Sequence, residues 1–180
     1  MSKKEINDND DYLLDSLWEK LDKKPKIHSG HKGDRGEKAV IKLLADRFGL
    51  PFSRVPDSGA RSSQVALPEE LKSAYVGDIV CPINFLWCVE CKNGYDADIN
   101  FDTIFFKATK NSQIDGFLDQ ATTDAKKIKR KPMLCWKKTG KPFLAFTHEH
   151  GLGDYWFKYR DWYACPLTEL LKLPDNVFLK

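Results

Sequence analysis

The sequence predicts an α/β sandwich in which a central mixed β-sheet is flanked by helices. Apolar residues recur at helical spacing over about 34–48 and 112–129, and short apolar runs typical of strands lie between and after these segments. A helix, strands, a second helix and further strands is the order expected when helices pack on a sheet. The 180 residues are enough for one such domain with a substantial core.

The first predicted helix begins at Asp34 and ends at about Phe48, where Gly49-Leu50-Pro51 stops it. A short strand over 52–55 is predicted next, followed by a polar loop over 56–63. The predicted inner face of the helix consists of Ala39, Val40, Leu43, Leu44 and Phe48.

Two apolar strands are predicted over 76–81 and 85–92. The connection between them, residues 82–84, is short enough to make them an antiparallel pair. The other predicted elements are a helix over 112–129 with Ile114, Phe117, Leu118, Ala121 and Ala125 inside, strands over 133–136 and 143–146 around a turn at 138–141, and a final helix over 167–173 stopped by Pro174.

Residues 1–31 are predicted to precede this domain, which spans 32–180. The first ten residues are almost entirely polar and are predicted to be disordered. A short amphipathic helix follows, whose apolar stripe needs a surface on its own chain or on a partner subunit, and a mobile basic linker is predicted over 23–33. The stripe consists of Leu13, Leu14, Leu17, Trp18 and Leu21.

Charge is distributed unevenly along the chain. Residues 1–22 contain three lysines and seven acidic residues, so their net charge of −4 leaves +7 for the rest of a chain whose formal charge is +3. The densest basic run spans 126–131, and a basic surface attracts nucleic acid by releasing its counterions. Lys127, Lys129 and Arg130 are therefore predicted to contact phosphates, although such a run is also typical of a solvated helix end.

No apolar run is long enough to span a bilayer, and the N-terminus is charged from Lys3 onward, unlike a secretory signal. An intracellular protein without membrane contact is expected. The five cysteines lie mostly in apolar, strand-like runs, which predicts reduced, buried thiols rather than a disulfide framework. They are Cys81, Cys88, Cys91, Cys135 and Cys165.

The strongest functional signal is an acid on one predicted strand and an acid-x-Lys on the next. Successive side chains of a strand point to opposite faces, so Glu90 and Lys92 project from the same face, and the predicted pairing brings Asp78 close to them. Carboxylates suit a hard divalent cation, and a nearby amine can orient water or stabilise developing negative charge. The pattern predicts metal-assisted phosphodiester cleavage.

Each of these acids also has a structural interpretation. Asp78, Glu90 and Lys92 could form an ordinary cross-strand salt bridge. Charged residues are costly inside such apolar strands unless a site uses them, which favours the functional hypothesis. Glu37 falls at the third position of a helix capped by Asp34, so it either completes a capping box or supplies a further metal or water ligand.

The ordered set of these motifs resembles the PD-(D/E)xK nuclease superfamily. It consists of Gly36-Glu37 on a helix, Gly77-Asp78, and Glu90-Cys91-Lys92 about a dozen residues later. The loop RVPDSGAR over 54–61 resembles the serine-glycine loop of the archaeal type of Holliday-junction resolvase, a type also carried by some viruses. The resemblance covers roughly 32–146, and Gly77 stands where the superfamily name has proline, at a position known to vary.

The resemblance implies a restriction-endonuclease-like fold and a role for each matched residue. Glu37, Asp78 and Glu90 would hold Mg²⁺, for which Mn²⁺ would substitute, Lys92 would be the catalytic lysine, and Ser58 would contact the active site. Arg61 is predicted to contact phosphate, because its guanidinium and the Ser58 hydroxyl can both bind phosphate oxygens. Both residues are also typical of a solvated turn. Gln120 could orient water but is also typical of an exposed helix position.

Two other patterns could indicate a metal. Cys88 and Cys91 form a C-x2-C, but their side chains point to opposite faces of a strand and no second cysteine pair with zinc-ligand spacing follows. His148-Glu149-His150 lies beside glycines and is predicted to be a surface turn, with its two imidazoles as the local alternative to the acidic site.

These observations predict a Mg²⁺-dependent, structure-selective DNA endonuclease, and the resemblance specifies a Holliday-junction resolvase. Resolution needs two symmetric nicks, so one site per chain implies a two-fold homodimer. One alternative is a nuclease of the same superfamily that acts on other branched or duplex DNA in repair or restriction. The other is a nucleic-acid-binding module without catalytic activity, against which the intact Asp78, Glu90 and Lys92 argue.

Overall fold

A computed structural model of the chain describes residues 29–56, 75–95, 99, 113–149 and 157–180, with side chains of the first helix from residue 33. Three helices and seven strands lie in these ranges, and a single 3₁₀ turn over Asp175–Val177 follows the last helix. The elements are α1 (Ser29–Phe48), β1 (Ser53–Arg54), β2 (Ile79–Val80), β3 (Trp87–Asn93), α2 (Gln113–Lys127), β4 (Lys131–Lys137), β5 (Leu144–Thr147), β6 (Phe157–Tyr159), β7 (Trp162–Pro166) and α3 (Leu167–Leu170).

Five strands form a mixed sheet in the order β3-β4-β5-β7-β6. Strands β3 and β4 are parallel, with Glu90 beside Leu134 and Lys92 beside Trp136, whereas the other neighbouring strands are antiparallel. Strands β1 and β2 form a separate two-stranded antiparallel sheet. The predicted α/β sandwich with a central mixed sheet is confirmed.

Helices cover both faces of the five-stranded sheet, and side chains alternate between two apolar clusters. On β4, Met133 and Cys135 pack in the cluster with α1 and α3, whereas Leu134 and Trp136 pack in the cluster with α2. This is why β4 is an uninterrupted apolar run rather than an alternating one. The predicted inner faces of α1 and α2 are confirmed, because their apolar residues pack against these two clusters.

The predicted antiparallel pairing of 76–81 with 85–92 is wrong. Strand β2 pairs with β1, and β3 pairs with β4. The residues that would close the hairpin bind the C-terminal segment instead: the Leu86 amide donates to the Phe178 carbonyl at 2.7 Å, and the Lys180 amide donates to Asn84 at 2.9 Å. A single backbone hydrogen bond of 3.0 Å, from the Asp78 amide to the Val89 carbonyl, still joins the two segments.

Helix α1 begins at Ser29, five residues before the predicted start, so the end of the predicted linker is helical. Asp34 is therefore not the N-cap, and its carboxylate binds the Lys38 ammonium at 2.8 Å and the Arg54 guanidinium at 2.8 Å. Glycines in this stretch lower helix propensity without forbidding a helix. The capping-box interpretation of Glu37 is wrong, because residue 37 lies inside the helix rather than at its start.

Most predicted element ends agree with the structure to within a few residues. Helix α1 ends before Gly49, whose φ of 63° favours glycine and whose amide donates to Ala45 at 2.9 Å. The last helix ends at Leu170 rather than 173, because Arg47 binds the carbonyls of the next turn, that of Leu171 at 2.7 Å and that of Leu173 at 3.1 Å.

Several predictions lie outside the described residues. These are the disordered arm, the amphipathic helix and most of the linker in 1–28, and the loop with Ser58 and Arg61 in 57–74. The cysteines are free, and all except the partly exposed Cys81 are buried, as predicted. Within the described ranges, no helix is both long and apolar enough to cross a membrane.

Candidate active site

Strand β3 carries two charged side chains on the face of the sheet that α2 covers. Glu90 and Lys92 face this side because their in-register neighbours on β4 pack in the α2 cluster. Glu90 is 1% exposed, and the Lys92 ammonium donates a hydrogen bond to its Oε1. The ammonium also lies 5.4 Å from the ring centroid of Phe117 on α2. A hydrogen bond therefore joins the buried carboxyl group to a half-buried amine.

Asp78 joins this pair from the segment before β2. Its Oδ2 accepts a hydrogen bond from the Cys91 amide at 2.8 Å, between the two charged residues of β3. Its backbone bridges the two sheets, because its carbonyl accepts from the Val55 amide at 3.0 Å and its amide donates to Val89 at 3.0 Å. Asp78 is 6% exposed, and its carboxyl group lies within hydrogen-bonding reach of that of Glu90.

Gly77 makes this close approach possible. Its φ is 82°, and a Cβ at this position would lie 2.9 Å from the Val89 carbonyl oxygen and 3.0 Å from the Cys88 sulfur. Proline, which stands here in the superfamily name, has φ near −65° and cannot adopt this conformation. The departure from the name is therefore a requirement of this backbone, and glycine lets Asp78 reach β3.

Glu37 approaches the site from α1 and is 6% exposed. The helix lies close to the end of β3 here, since a Cβ on Gly36 would be 2.9 Å from Cβ of Asn93. The Arg54 guanidinium of β1 donates to Glu37 Oε2 through Nε and to Asp34 at 2.8 Å through Nη1. In this structure Glu37 is paired with an arginine at the edge of the site.

Burial and crowding raise the pKa of each of the three acids. Burial, followed by the charge of Asp78, raises the pKa of Glu90 to about 8 despite the opposing effect of Lys92. Burial also raises the pKa of Asp78, against the charge of Lys92 and the Cys91 hydrogen bond. The pKa of Glu37 rises through burial although its Arg54 hydrogen bond lowers it, and the nearby Asp78 charge raises it further.

Lys92 responds in the opposite sense. Burial lowers the pKa of its ammonium, but the charges of Glu90 and Asp78 outweigh this effect and raise the pKa overall. The amine therefore stays protonated at neutral pH and contributes a positive charge, not a general base. An ammonium beside two acids can bind a phosphate oxygen or orient a water molecule.

One polar atom of the site is unsatisfied. Within the described part of the chain, Glu90 Oε2 is a buried side-chain oxygen without a hydrogen-bond partner. A buried carboxylate oxygen in this state is costly, so it is poised to accept a proton, a hydrogen bond or a cation. The described residues contain no cluster of three or more acidic, histidine or cysteine side chains arranged to hold a metal ion. Asp78 and Glu90 converge, while Glu37 remains with Arg54.

The structure brings together Asp78, Glu90 and Lys92 and places Glu37 at their edge. The predicted phosphate contacts belong to other elements: Lys127 is the last residue of α2, and Lys129 and Arg130 lie between α2 and β4. The basic run is also partly paired. Lys127 binds Asp124 at 2.6 Å, Arg130 donates to the Pro82 carbonyl at 3.0 Å, and Lys129 is an exposed residue with φ of 53°.

Sequence reasoning missed two charged residues near the acids. Arg54 binds Glu37. Its position on the short strand before the loop was the feature of the sequence that could have indicated this contact. Asp124 of α2 is close enough for its charge to raise the pKa of Asp78, although burial contributes more. It lies four residues after Gln120, one helical turn further along the same face, and Gln120 itself is exposed.

The two other metal hypotheses are not supported. Cys88 and Cys91 point to opposite faces as predicted: Cys91 packs with α1, whereas the Cys88 thiol contacts the Val76 carbonyl at 3.8 Å. The His148 ring lies 4.1 Å from that of Trp162 and its Nδ1 lies 3.1 Å from the Asp161 carbonyl, while residue 150 is outside the described ranges.

The structure combines a mixed sheet covered by helices on both faces, an aspartate beside the acid-x-Lys of β3, and a glutamate of α1 at the edge of the site. These features together define the restriction-endonuclease-like class of PD-(D/E)xK nucleases. Within this class the chain belongs to the family described as "Phage putative PDDEXK endonuclease", whose family model matches residues 28–164. The family description is that of a phage endonuclease with the PD-(D/E)xK motif.

A phage protein supports this assignment. Protein D14 of Escherichia phage T5 is 30% identical over 116 residues, which cover 62% of this chain and 66% of the phage protein. The chain thus matches just under two thirds of the length of that relative. A relative from a phage is consistent with a virus-encoded protein. No solved structure matches the chain.

Proposed function

We propose that this chain is a Mg²⁺-dependent, structure-selective DNA endonuclease that resolves four-way junctions by paired, symmetric nicks as a homodimer. The observation that carries the catalytic part is the Glu90 carboxyl group, which is 1% exposed with one oxygen unsatisfied beside Asp78 and Lys92. Burying a carboxyl group in this state costs free energy, so such a group is expected where it has a function. The four-way junction and the dimer rest on the resemblance of the loop over 54–61 to that of archaeal-type resolvases.

Asp78 and Glu90 fit a hard divalent cation. They offer carboxylate oxygens, and the unsatisfied Oε2 of Glu90 is ready to accept a cation in place of a proton. Glu37 completes the set only if it releases the Arg54 guanidinium that now binds it. Bound Mg²⁺, or Mn²⁺ in its place, supplies Lewis-acid polarisation of the scissile phosphate and a lowered pKa of bound water.

The other residues of the site orient the reactants. Glu90 accepts a hydrogen bond from the Lys92 ammonium, and the Phe117 ring lies on another side of it. The ammonium donates to a phosphate oxygen or to the attacking water. Asp78 keeps a fixed orientation through the Cys91 amide. Ser58 and Arg61, from the loop that follows β1, contact the phosphates that flank the cut.

A junction presents two equivalent strands to be cut, and one chain carries one such site. Two copies related by a two-fold axis offer two sites with matching polarity, so paired nicks require a dimer. Lys127, at the end of α2, and Lys129 and Arg130, before β4, hold the arms of the junction, where they contribute affinity rather than chemistry.

A cleavage assay tests the proposal. Junction, flap and plain duplex substrates are compared at matched salt with Mg²⁺, Ca²⁺ or EDTA, and wild type is compared with Asp78→Asn. We expect Mg²⁺-dependent paired nicks in the junction, none with Asp78→Asn, and binding without cleavage in Ca²⁺. Equal cutting of plain duplex would favour a repair or restriction nuclease, and binding without cleavage in every metal would favour a non-catalytic module.

Subunit mixing tests the dimer. Sedimentation at micromolar concentration is expected to give twice the chain mass of 20.7 kDa. Mixtures of wild type and Asp78→Asn should contain heterodimers that nick one strand of a junction only. A monomer that still makes paired nicks would contradict the proposed mechanism.

A further inference from the structure

Tyr95, just beyond the end of β3, is an exposed aromatic residue that the proposed chemistry does not use. Its residue surface is 43% exposed, although it lies only three residues after Lys92. Large aromatic side chains dominate packing and binding energies when they are covered, so one left open beside a candidate active site points to a ligand.

The backbone holds Tyr95 in a conformation that non-glycine residues rarely adopt. Its φ is 62°, and that of the preceding Gly94 is 99°. Three hydrogen bonds fix the turn: the Gly94 amide donates to the Lys137 carbonyl at 2.8 Å, the Trp136 indole to the Gly94 carbonyl at 3.1 Å, and the Ile99 amide to the Tyr95 carbonyl at 2.9 Å. Strain kept in place by buried partners is characteristic of functional sites.

The Tyr95 ring and the Lys92 ammonium both lie close to the same neighbour, the Phe117 ring. Tyr95 packs edge-on against Phe117, with ring centroids 4.8 Å apart at 67°, and the Lys92 ammonium lies 5.4 Å from the same Phe117 ring. Tyr95 is also among the groups that act electrostatically on Lys92, although burial and the charges of Glu90 and Asp78 have larger effects on its pKa. The open ring therefore stands beside the phosphate that Lys92 would contact.

We propose that Tyr95 is a stacking platform for an unpaired nucleobase next to the scissile phosphate. A base has a π-face that stacks on an aromatic side chain in any sequence, but in an intact duplex both faces are covered by neighbouring base pairs. Only a nucleotide displaced from the stack can occupy this ring. The inference rests on the proposed nuclease function and deepens it: the substrate class is DNA with an unstacked nucleotide at the cut, as at a branch point.

The experiment measures binding in Ca²⁺, which separates recognition from cleavage. Two fluorescently labelled oligonucleotides are compared by anisotropy: a perfectly paired duplex and the same duplex with one unpaired 2-aminopurine, whose fluorescence falls on stacking. Wild type is expected to bind the second more tightly and to quench it. Tyr95→Ala should reduce the preference by roughly tenfold or more and abolish the quenching, while Tyr95→Phe and Tyr95→Trp, which keep a ring, should retain both.

Tyr163→Ala provides the matched control. Tyr163 is a partly exposed tyrosine on β7, next to Trp162 and Ala164, which face α2, so its own side chain lies on the opposite face from Lys92. Its removal should leave the preference unchanged. Thermal melts of all four variants identify any that fail to fold.

The outcomes separate the two proposals. A wild type that binds both oligonucleotides equally, or a folded Tyr95→Ala that keeps its preference and quenching, would overturn the stacking role while leaving the nuclease proposal standing. A wild type that binds neither oligonucleotide and cleaves no DNA would overturn both.

Discussion

Two buried carboxyl groups lie between the five-stranded sheet and α2, one on α2 near edge strand β6 and the other on edge strand β3. Near edge strand β6, Asp115 has a partner for each oxygen: the Tyr159 hydroxyl donates to Oδ1 at 3.0 Å and the Arg160 guanidinium to Oδ2 at 2.7 Å. On edge strand β3, Glu90 accepts from Lys92 through Oε1, while its Oε2 has no donor, and the neighbouring carboxyl group of Asp78 can bind it only if one of the two acids is protonated. Burial is thus common to a structural and a candidate catalytic acid, and the unsatisfied oxygen distinguishes them.

The largest expected effect is the loss of cleavage on neutralising the acids at the β3 edge. Glu90→Gln and Asp78→Asn should lower the rate by roughly a thousandfold or more, the scale of losing a main electrostatic stabiliser, because each removes a carboxylate charge proposed to hold the metal. DNA binding should persist, since the residues proposed to bind phosphates are other than those proposed to hold the metal. The assay is single-turnover cleavage of the preferred substrate, with anisotropy for binding.

Asp115→Asn is the control at the β6 edge. It neutralises an equally buried acid but should leave the specific activity of the folded enzyme unchanged. If it abolished cleavage as completely as Glu90→Gln, the distinction between the two edges would disappear.

The next effect concerns two lysines with similar surroundings. Lys92 binds Glu90 and lies 5.4 Å from the Phe117 ring, whereas Lys131 binds Glu149 at 2.8 Å and lies 5.4 Å from the Trp87 ring. Lys92→Ala should lower the cleavage rate by about a hundredfold to a thousandfold, because the donor proposed to bind the phosphate is removed. Lys131→Ala, at a more exposed pair, should leave the rate unchanged.

Rate and stability measured together decide the role of Lys92. A Lys92→Ala variant that melts earlier but keeps its specific activity would make the pair a structural salt bridge. Equal rate losses in both lysine variants would indicate a general effect of positive charge instead.

Stability should show the reverse ranking of the two edges. Asp115→Asn turns an amide toward Arg160 and should lower the free energy of unfolding by about 1–3 kcal/mol, the cost of disrupting buried hydrogen bonds. Glu90→Gln removes a charge that burial penalises and should not destabilise the metal-free protein. Urea unfolding followed by tryptophan fluorescence measures both, with the exposed Asp161→Asn as the neutral control.

The pH dependence of stability sharpens the same contrast. Because the pKa of Glu90 is about 8, the folded chain binds more protons than the unfolded chain between the ordinary carboxyl pKa, near 4.5, and 8. Stability from this group is therefore present at low pH and is lost as pH rises through that window. In EDTA, the Tm of wild type relative to Glu90→Gln should fall between pH 5 and 8, and a constant difference would contradict the raised pKa.

The β3 edge was predictable from sequence because its residues follow a short, ordered pattern. An acid and a lysine two positions apart on a strand must share a face, whatever the sheet topology. The pairing was not predictable, because the turn between 82 and 84 looks like a hairpin until Phe178 and Lys180, almost a hundred residues later, bind its backbone. The predicted convergence of Asp78, Glu90 and Lys92 is therefore present, although the topology predicted around it was partly wrong.

The β6 edge was not predictable because its signal is spread along the chain. Asp115 on α2 meets Tyr159 and Arg160 some 45 residues later, and nothing in the local sequence distinguishes a buried aspartate from one in the first turn of an exposed helix. Glu37 shows the same limit. Its burial follows from α1 passing close to Asn93 at Gly36, and its partner is an arginine on another element.

The smallest expected effect is in the basic run between α2 and β4, which is proposed to contribute affinity rather than chemistry. Removing one side chain that binds a phosphate should reduce the log-log salt slope of DNA binding by about 0.9. Lys129→Ala should approach this value because Lys129 is exposed. Lys127→Ala and Arg130→Ala should change the slope less, because an aspartate and a backbone carbonyl already bind these side chains.

Binding is measured by anisotropy from low to moderate salt, with the single-turnover rate at saturation as the control that should stay unchanged. An unaltered slope in a variant that combines Lys127→Ala, Lys129→Ala and Arg130→Ala would mean that DNA follows another surface. A slower saturated rate would mean that the basic run and the β3 edge act as one site.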